Sequence, residues 1–171
     1  MNIQRENLFG TQITVIGTVH SMTGTGKEEM ETKLSSIRPD IILIEYPENG
    51  IPNKSVRDID FGDIKGALSY CDSTGTEYKP IDKLVKNHIS TLKSELDGQK
   101  RRELQESESG DKSREIIFNN TVEFSRQVSE REQNMIKNII SLSGSYSSIC
   151  IIVGSTHVKP LVNQIQMMQF N

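Results

Sequence analysis

Two histidines occupy the same position in a short phrase that the chain contains twice. One apolar run ends in Gly17-x-x-His20 and another ends in Gly154-x-x-His157. The 171 residues include three histidines, so two of the three close this pattern. A glycine permits a tight turn and close backbone approach where a buried strand ends, and a histidine just beyond it can meet a ligand. The repeat therefore predicts one composite site, built from opposite ends of the chain.

Two acidic residues close other predicted strands. Glu45 ends the apolar run 41–45, and Asp82 ends the short run 78–82. Ligands of α/β sheets bind at the carboxyl ends of the strands, where these residues would meet the histidines. Two imidazoles with one or two carboxylates, and positions left open for water, suit Zn²⁺, Mn²⁺, Fe²⁺ or Co²⁺. Such an ion lowers the pKa of bound water enough for hydrolysis near neutral pH.

Each of these residues also has a structural interpretation. A single histidine at a strand end is more often part of a hydrogen-bonded framework than a ligand, and only the repeated phrase makes function equally plausible. A strand-terminal Glu45 can simply cap the strand or face solvent. Asp82 precedes Lys-Leu-Val and fits an ordinary helix N-cap.

Arg131 interrupts a predicted apolar helix face. The apolar residues around it recur at helical spacing, at positions 124, 128, 135, 139 and 142. A guanidinium within such a stripe is costly unless an anion pairs with it. The partner would be Glu45 or the carboxylate or oxyanion of a substrate. The alternative is that the apolar stem packs while the charged head reaches water.

The elements that must position these residues alternate between strand and helix. A strand over 12–19, a helix over 27–37 and a strand over 41–45 form a βαβ unit, which favours a parallel pair with a right-handed crossover. The weak pattern of residues 55–70 predicts a loop and a short helix. Further strands are predicted at 78–82 and 148–154, and a final helix at about 160–168.

Two long amphipathic patterns separate the third and fourth of these strands. They predict helices from 83 to about 96 and from 113 to 142, which together form a helical hairpin inserted at about 83–142. The fold class is therefore α/β: a central, mostly parallel sheet of about four or more strands, flanked by helices. At 171 residues, residues 1–171 are expected to form a single domain.

Composition limits the classes of partner. A net charge of −3 gives no reason to expect nucleic acid. No apolar run approaches the roughly 18 residues that a membrane span needs, and the first residues lack a signal-peptide apolar region. We therefore expect a cytoplasmic protein without a nucleic-acid partner or a membrane span. A hydrophobic content of 34% predicts a thin core, which together with the long amphipathic helices favours a homodimer.

Four motifs in order resemble those of the TraB, pheromone-shutdown and Tiki superfamily, and more distantly the ChaN-like and erythromycin-esterase-like proteins. The motifs are Gly-Thr-x-His-Ser, then Arg-Pro-Asp with an apolar strand ending in Glu, then Arg with Met four residues on, and finally Val-Gly-x-x-His. They are matched here by residues 17–21, 38–45, 131–135 and 153–157, so that the resemblance spans nearly the whole chain.

The resemblance implies a sheet-centred α/β fold in which the two Gly-x-x-His motifs meet. Tiki-like members are described as metal-dependent proteases, other members are implicated in shutting down peptide pheromones, and ChaN-like relatives in haem-iron handling. The resemblance suggests a metal-dependent hydrolase or peptidase in which His20 and His157 bind the metal. Glu45 would be a ligand or general base, Arg131 the anion partner, and Gly17, Ser21, Asp82 and Gly154 supporting residues.

Two other hypotheses use the same residues. In one, the chain binds or sequesters a peptide, haem or a small anionic ligand without turnover. In the other, both histidines only brace the ends of the sheet, and the helical hairpin docks a partner. The separation of the His20 and His157 rings would distinguish a shared metal ion from either alternative.

Overall fold

The computed structural model describes residues 1–19, 24–50, 54–83 and 110–169. Strands and helices alternate along most of this chain. They are β1 (Asn2–Leu8), β2 (Thr11–Thr18), α1 (Gly24–Ile37), β3 (Ile41–Pro47), α2 (Gly62–Thr74), β4 (Glu77–Asp82), α3 (Gly110–Leu142), β5 (Ser148–Gly154) and α4 (Ser155–Gln169), with a 3₁₀ turn at Val56–Asp58. Each of the four strands predicted from the sequence is therefore present.

The five strands form one sheet in the order β1-β2-β5-β3-β4. β1 is antiparallel to β2, and the other neighbouring pairs are parallel. β5 lies between β2 and β3, so that Ile152 is level with Ile16 on one side and Ile44 on the other. The prediction of a mostly parallel α/β sheet is confirmed, and the two strands that carry the repeated phrase are neighbours.

Helices cover both faces of the sheet, because the central strands are apolar on both sides. Ile149, Ile151 and Val153 of β5 pack with residues of α3 and α4. The alternate residues Cys150 and Ile152 pack with α1 and α2. The continuous apolar character of β5 is thus that of a buried parallel strand.

Asp40 fixes β3 and β5 at their amino ends. Its carboxylate accepts hydrogen bonds from the backbone N–H groups of Ser147 and Ser148, both at 2.8 Å. Arg38, two residues earlier, adopts a positive φ of 52° where α1 ends. The Arg-Pro-Asp motif therefore has a structural function: it aligns the two strands, whose carboxyl ends lie level as a result.

The N-terminal strand β1 was not predicted from the sequence. Its residues are mostly polar, and Ile3 and Leu8 are its only apolar members, so no strand pattern stands out. Backbone pairing with β2 stabilises this strand, because residues 2–8 pair in register with residues 11–17. Phe9 and Gly10 form the connecting turn with φ values of 51° and 85°.

Two helices differ from their predicted extents. α2 covers Gly62–Thr74, which is longer than the short helix expected within 55–70. α4 begins at Ser155, directly after β5, and contains Pro160 in its interior. The sequence predicted that this helix begins at about Pro160. Burial of its apolar face outweighs the hydrogen bond that a proline removes, because Val158, Leu161 and Ile165 are buried at helical spacing.

Contacts divide the chain into two compact units: Met1–Lys83 with Glu132–Asn171, and Leu84–Arg131. The first contains the whole sheet. In the second, the described part is helical, because α3 starts at Gly110, near the start predicted at 113. The other predicted helix, from 83 to 96, lies almost wholly outside the described residues, so the inserted hairpin remains a prediction.

Candidate functional site

Glu45 and Gly154 meet at the carboxyl edge of the sheet. Each stands near the end of its strand, and β3 and β5 are parallel neighbours, so these ends lie side by side. The backbone N–H of Gly154 donates a hydrogen bond to Glu45 Oε2 at 2.5 Å. By the alternation of β3, the Glu45 side chain points to the same face as Leu43, which is the face that α3 and α4 cover.

His157 lies in the first turn of α4 and is 5% exposed. Its Nε2 lies 3.4 Å from Glu45 Oε1. Its Nδ1 lies 3.0 Å from Glu132 Oε1. The two ring nitrogens thus face two different carboxylates. We call Glu45, His157 and Glu132 the carboxylate–histidine cluster.

Helical spacing on α3 and α4 brings the cluster together. Glu132 precedes Met135 and Ile139 at intervals of three and seven residues, and both of those side chains are fully buried on the sheet. His157 precedes Leu161 by four residues, and Leu161 is fully buried in the same core. Each polar residue therefore extends an apolar stripe by one turn, toward the carboxyl edge.

Glu132 was missed in the sequence. The predicted stripe contained Arg131 at this level of the helix, and no role was predicted for the neighbouring Glu132. The spacing from Glu132 to Met135, Ile136 and Ile139 is the signal that could have found it. The contact with His157 itself required the tertiary structure, because 25 residues separate the two.

The side chains of the carboxylate–histidine cluster are largely shielded from solvent. The side chains of Glu45 and Glu132 are 9% and 12% exposed. Carboxylates at this burial need donors, since an unpaired buried charge is costly. The Gly154 N–H and the His157 ring provide them. The arrangement is a buried polar cluster with directed hydrogen bonds.

The separation of His157 Nε2 and Glu45 Oε1 can be compared with that of two ligands on one metal ion. Two ligands held tetrahedrally at about 2.0–2.2 Å from Zn²⁺ lie about 3.3–3.5 Å apart. The 3.4 Å between Nε2 and Oε1 agrees with this spacing. Within the described ranges, no group of three or more His, Cys, Asp and Glu side chains is arranged to hold a metal. Glu132 faces the opposite nitrogen of the ring and so does not complete such a group.

Four other residues belong to the predicted site: His20, Ser21, Arg131 and Asp82. His20 and Ser21 lie outside the described residues, so the separation of the two rings remains a prediction. Arg131 belongs to the second unit and is 8% exposed, and its role as anion partner also remains a prediction. Asp82 ends β4, and its Oδ1 accepts the N–H of Lys83 at 2.7 Å.

Gly17 has a packing function. A Cβ at this position would lie 2.5 Å from Val158 Cγ2 and 3.3 Å from Ser155 Cα. The absence of a side chain therefore lets the first turn of α4, which carries His157, pack against β2. The sequence predicted close backbone approach at this glycine, and the approaching group is a helix of the same chain.

A second buried polar pair lies at the end of β2, on the opposite face of the sheet. The Thr18 hydroxyl donates to Asp63 Oδ2 at 2.5 Å, and both residues are buried. Asp63 is the second residue of α2 and was not predicted, because an acid in the first turn of a helix usually faces solvent. Only the packing of α2 against the sheet buries it.

The cysteines do not provide a nucleophile at neutral pH. Burial raises the pKa of the Cys71 thiol to about 11. Burial, together with the nearby Cys71, also raises the pKa of Cys150. Since the thiolate is the reactive form, both side chains act as small apolar residues of the core.

No helix in the described part of the chain is both long and apolar enough to cross a bilayer. Comparisons of the sequence with models of protein families, with curated proteins and with solved structures return no match. The resemblance to the TraB and Tiki superfamily therefore depends on its four short motifs.

Proposed function

We propose that the chain is a metal-dependent hydrolase of the TraB and Tiki type that acts on peptides. The observation that carries the proposal is the 3.4 Å separation of His157 Nε2 and Glu45 Oε1, which suits two ligands of one divalent ion. His157 and Glu45 are the proposed ligands on the described part of the chain. His20 is the proposed third ligand, on the strength of the repeated phrase and the resemblance.

A bound Zn²⁺, Mn²⁺, Fe²⁺ or Co²⁺ would supply a nucleophilic hydroxide at neutral pH and polarise a carbonyl. Residues of the chain would orient the proposed metal ligands. The Gly154 N–H holds one oxygen of Glu45, which leaves Oε1 directed at the histidine. An alternative role for Glu45 is general base, accepting the proton of an attacking water.

The test is metal content together with hydrolysis. Wild type, His157→Gln and Glu45→Gln would be purified and analysed by mass spectrometry for Mn, Fe, Co and Zn, then assayed on a peptide mixture with each metal added. We expect bound metal and metal-stimulated hydrolysis in wild type, with both reduced at least tenfold in the variants. Glu77→Gln is the matched control, because its carboxylate contacts Tyr146 at the opposite end of β4.

Equal and negligible metal in wild type and His157→Gln, with no stimulated hydrolysis, would contradict the proposal. Peptide binding without turnover would instead favour the sequestering protein. If His157→Gln keeps the metal content and hydrolysis of wild type but loses stability, the histidine only stabilises the end of the sheet.

A further inference from the structure

Glu132 is the member of the carboxylate–histidine cluster to which neither the repeated phrase nor the resemblance assigned a role. We propose that it is a positioning residue for His157: it keeps the ring proton on Nδ1, so that the lone pair of Nε2 is directed toward Glu45. This inference rests on the proposed function, because it names the residue that makes Nε2 the ligand atom. Its direct test requires no metal and no substrate.

The contact with Glu132 favours one tautomer of His157. A carboxylate accepts hydrogen bonds and cannot donate them, so the 3.0 Å contact between His157 Nδ1 and Glu132 Oε1 requires the proton on Nδ1. In a neutral imidazole the other nitrogen is then an acceptor or a ligand. Nε2 lies farther from its own carboxylate, at 3.4 Å from Glu45 Oε1. The shorter contact is therefore with Glu132.

Packing fixes both partners. The next turn of α3 after Glu132 carries Met135 and Ile136, which are buried on the sheet. Val158, beside His157, is seated over Gly17. Side chains on two packed helices hold their geometry better than side chains on loops. The pair can therefore orient the ring without help from a ligand.

Metal-binding histidines commonly donate their second N–H to a carboxylate, and loss of that partner weakens metal affinity about 10–100-fold. The 3.0 Å contact between Glu132 and Nδ1 has this form. A purely structural role leads to a different expectation. Glu132 would then only provide a hydrogen-bond partner for the buried ring, and its loss would reduce stability without changing the tautomer or the metal affinity.

The experiment records two-bond ¹H–¹⁵N correlation spectra of protein labelled with ¹⁵N-histidine, at a pH where imidazole is neutral. Three histidines give three ring systems, and His157→Gln assigns the signal. In wild type we expect a protonated Nδ1 and an unprotonated Nε2. In Glu132→Ala the proton should move to Nε2, where Glu45 is the acceptor. Glu132→Gln keeps an acceptor oxygen and should retain the wild-type tautomer.

Glu77→Gln again serves as the control and should leave the spectrum of His157 unchanged. A wild-type ring that carries a proton on Nε2, whether alone or together with one on Nδ1, would overturn the inference, and this result needs no variant to fold. A Glu132→Ala ring that keeps its proton on Nδ1 would overturn it as well.

Titration with Zn²⁺ and Mn²⁺ separates this inference from the proposed function. We expect Glu132→Ala to bind either ion 10–100-fold more weakly than wild type, with Glu132→Gln between them. Equal affinity in wild type and Glu132→Ala would contradict a positioning role. If neither protein binds metal while the tautomer changes as expected, the metal-dependent function is wrong and the assignment of Glu132 stands.

Discussion

The Gly154 amide donates to Glu45 Oε2, while Glu45 Oε1 faces His157 Nε2. The glycine of the second Gly-x-x-His phrase thereby holds the glutamate that meets the histidine of the same phrase. This relationship accounts for the spacing of the phrase: the strand ends at Gly154 and the helix begins at once, so that the ring of His157, the third residue of α4, reaches Glu45 of β3.

Substitution of Gly17 by alanine should destabilise the protein by about 1–3 kcal/mol, because the new Cβ would overlap Val158. Equilibrium unfolding in urea measures this change. Gly26→Ala is the matched control. Its Cβ would be 3.5 Å from the nearest atom, and alanine is favoured within a helix, so its stability should be unchanged or up to about 1 kcal/mol higher.

The double variant Gly17→Ala with Val158→Ala completes a double-mutant cycle, which measures the energetic coupling between the two positions. Removal of the Val158 methyls should recover part of the loss caused by Gly17→Ala. Strict additivity of the two single variants would show that the overlap with Val158 is not the cause.

Glu45→Ala should cost about 1–3 kcal/mol more stability than Glu45→Gln. Alanine leaves the Gly154 N–H without its acceptor, whereas glutamine retains an oxygen there. Urea unfolding of both variants measures the difference. Equal stability would mean that the Gly154 amide finds another acceptor in the variant.

The native thiols should react slowly. Because the pKa of Cys71 is raised to about 11, thiolate is scarce at pH 8, and the buried side chain is also shielded. Modification by an aromatic disulfide reagent should be slow in the native protein and fast in denaturant. Fast reaction at pH 8 would place Cys71 in an exposed, polar environment, and Cys71→Ser identifies which thiol reacts.

The same shift predicts a loss of stability in alkali. Cys71 binds its proton more tightly in the folded state than in the unfolded chain. Stability should therefore be intact below the ordinary thiol pKa and should fall as the pH rises from there toward about 11. Thermal unfolding of wild type and Cys71→Ala across this range measures the effect, which should be smaller in the variant.

Asp72 predicts the opposite dependence in acid. The hydrogen bonds from Arg57, at 2.8 and 3.0 Å, lower the pKa of this exposed carboxyl. Its contribution is therefore present above the ordinary carboxyl pKa and is lost as the pH falls through the lowered value. The stability difference between wild type and Asp72→Asn should shrink in acid and in high salt. A difference independent of pH would exclude this ion pair as its source.

The sequence by itself determined the elements that bury apolar surface. Continuous apolar runs rich in β-branched residues, such as 41–44 and 149–153, are typical of parallel strands covered on both faces, so these strands could be predicted. The same strands placed Glu45 and Gly154 at their carboxyl ends. Amphipathic spacing also gave the long helix that carries Glu132, although not the importance of that residue.

Only the tertiary structure decided the contacts between distant residues. The polar strand β1 exists because β2 offers it a partner, and α4 starts at Ser155 because its apolar face packs on the sheet. The pairing of Glu132 with His157 depends on how two helices lie on one face. Local propensity contains no information about such a contact, because it is set by packing between segments that are remote in sequence.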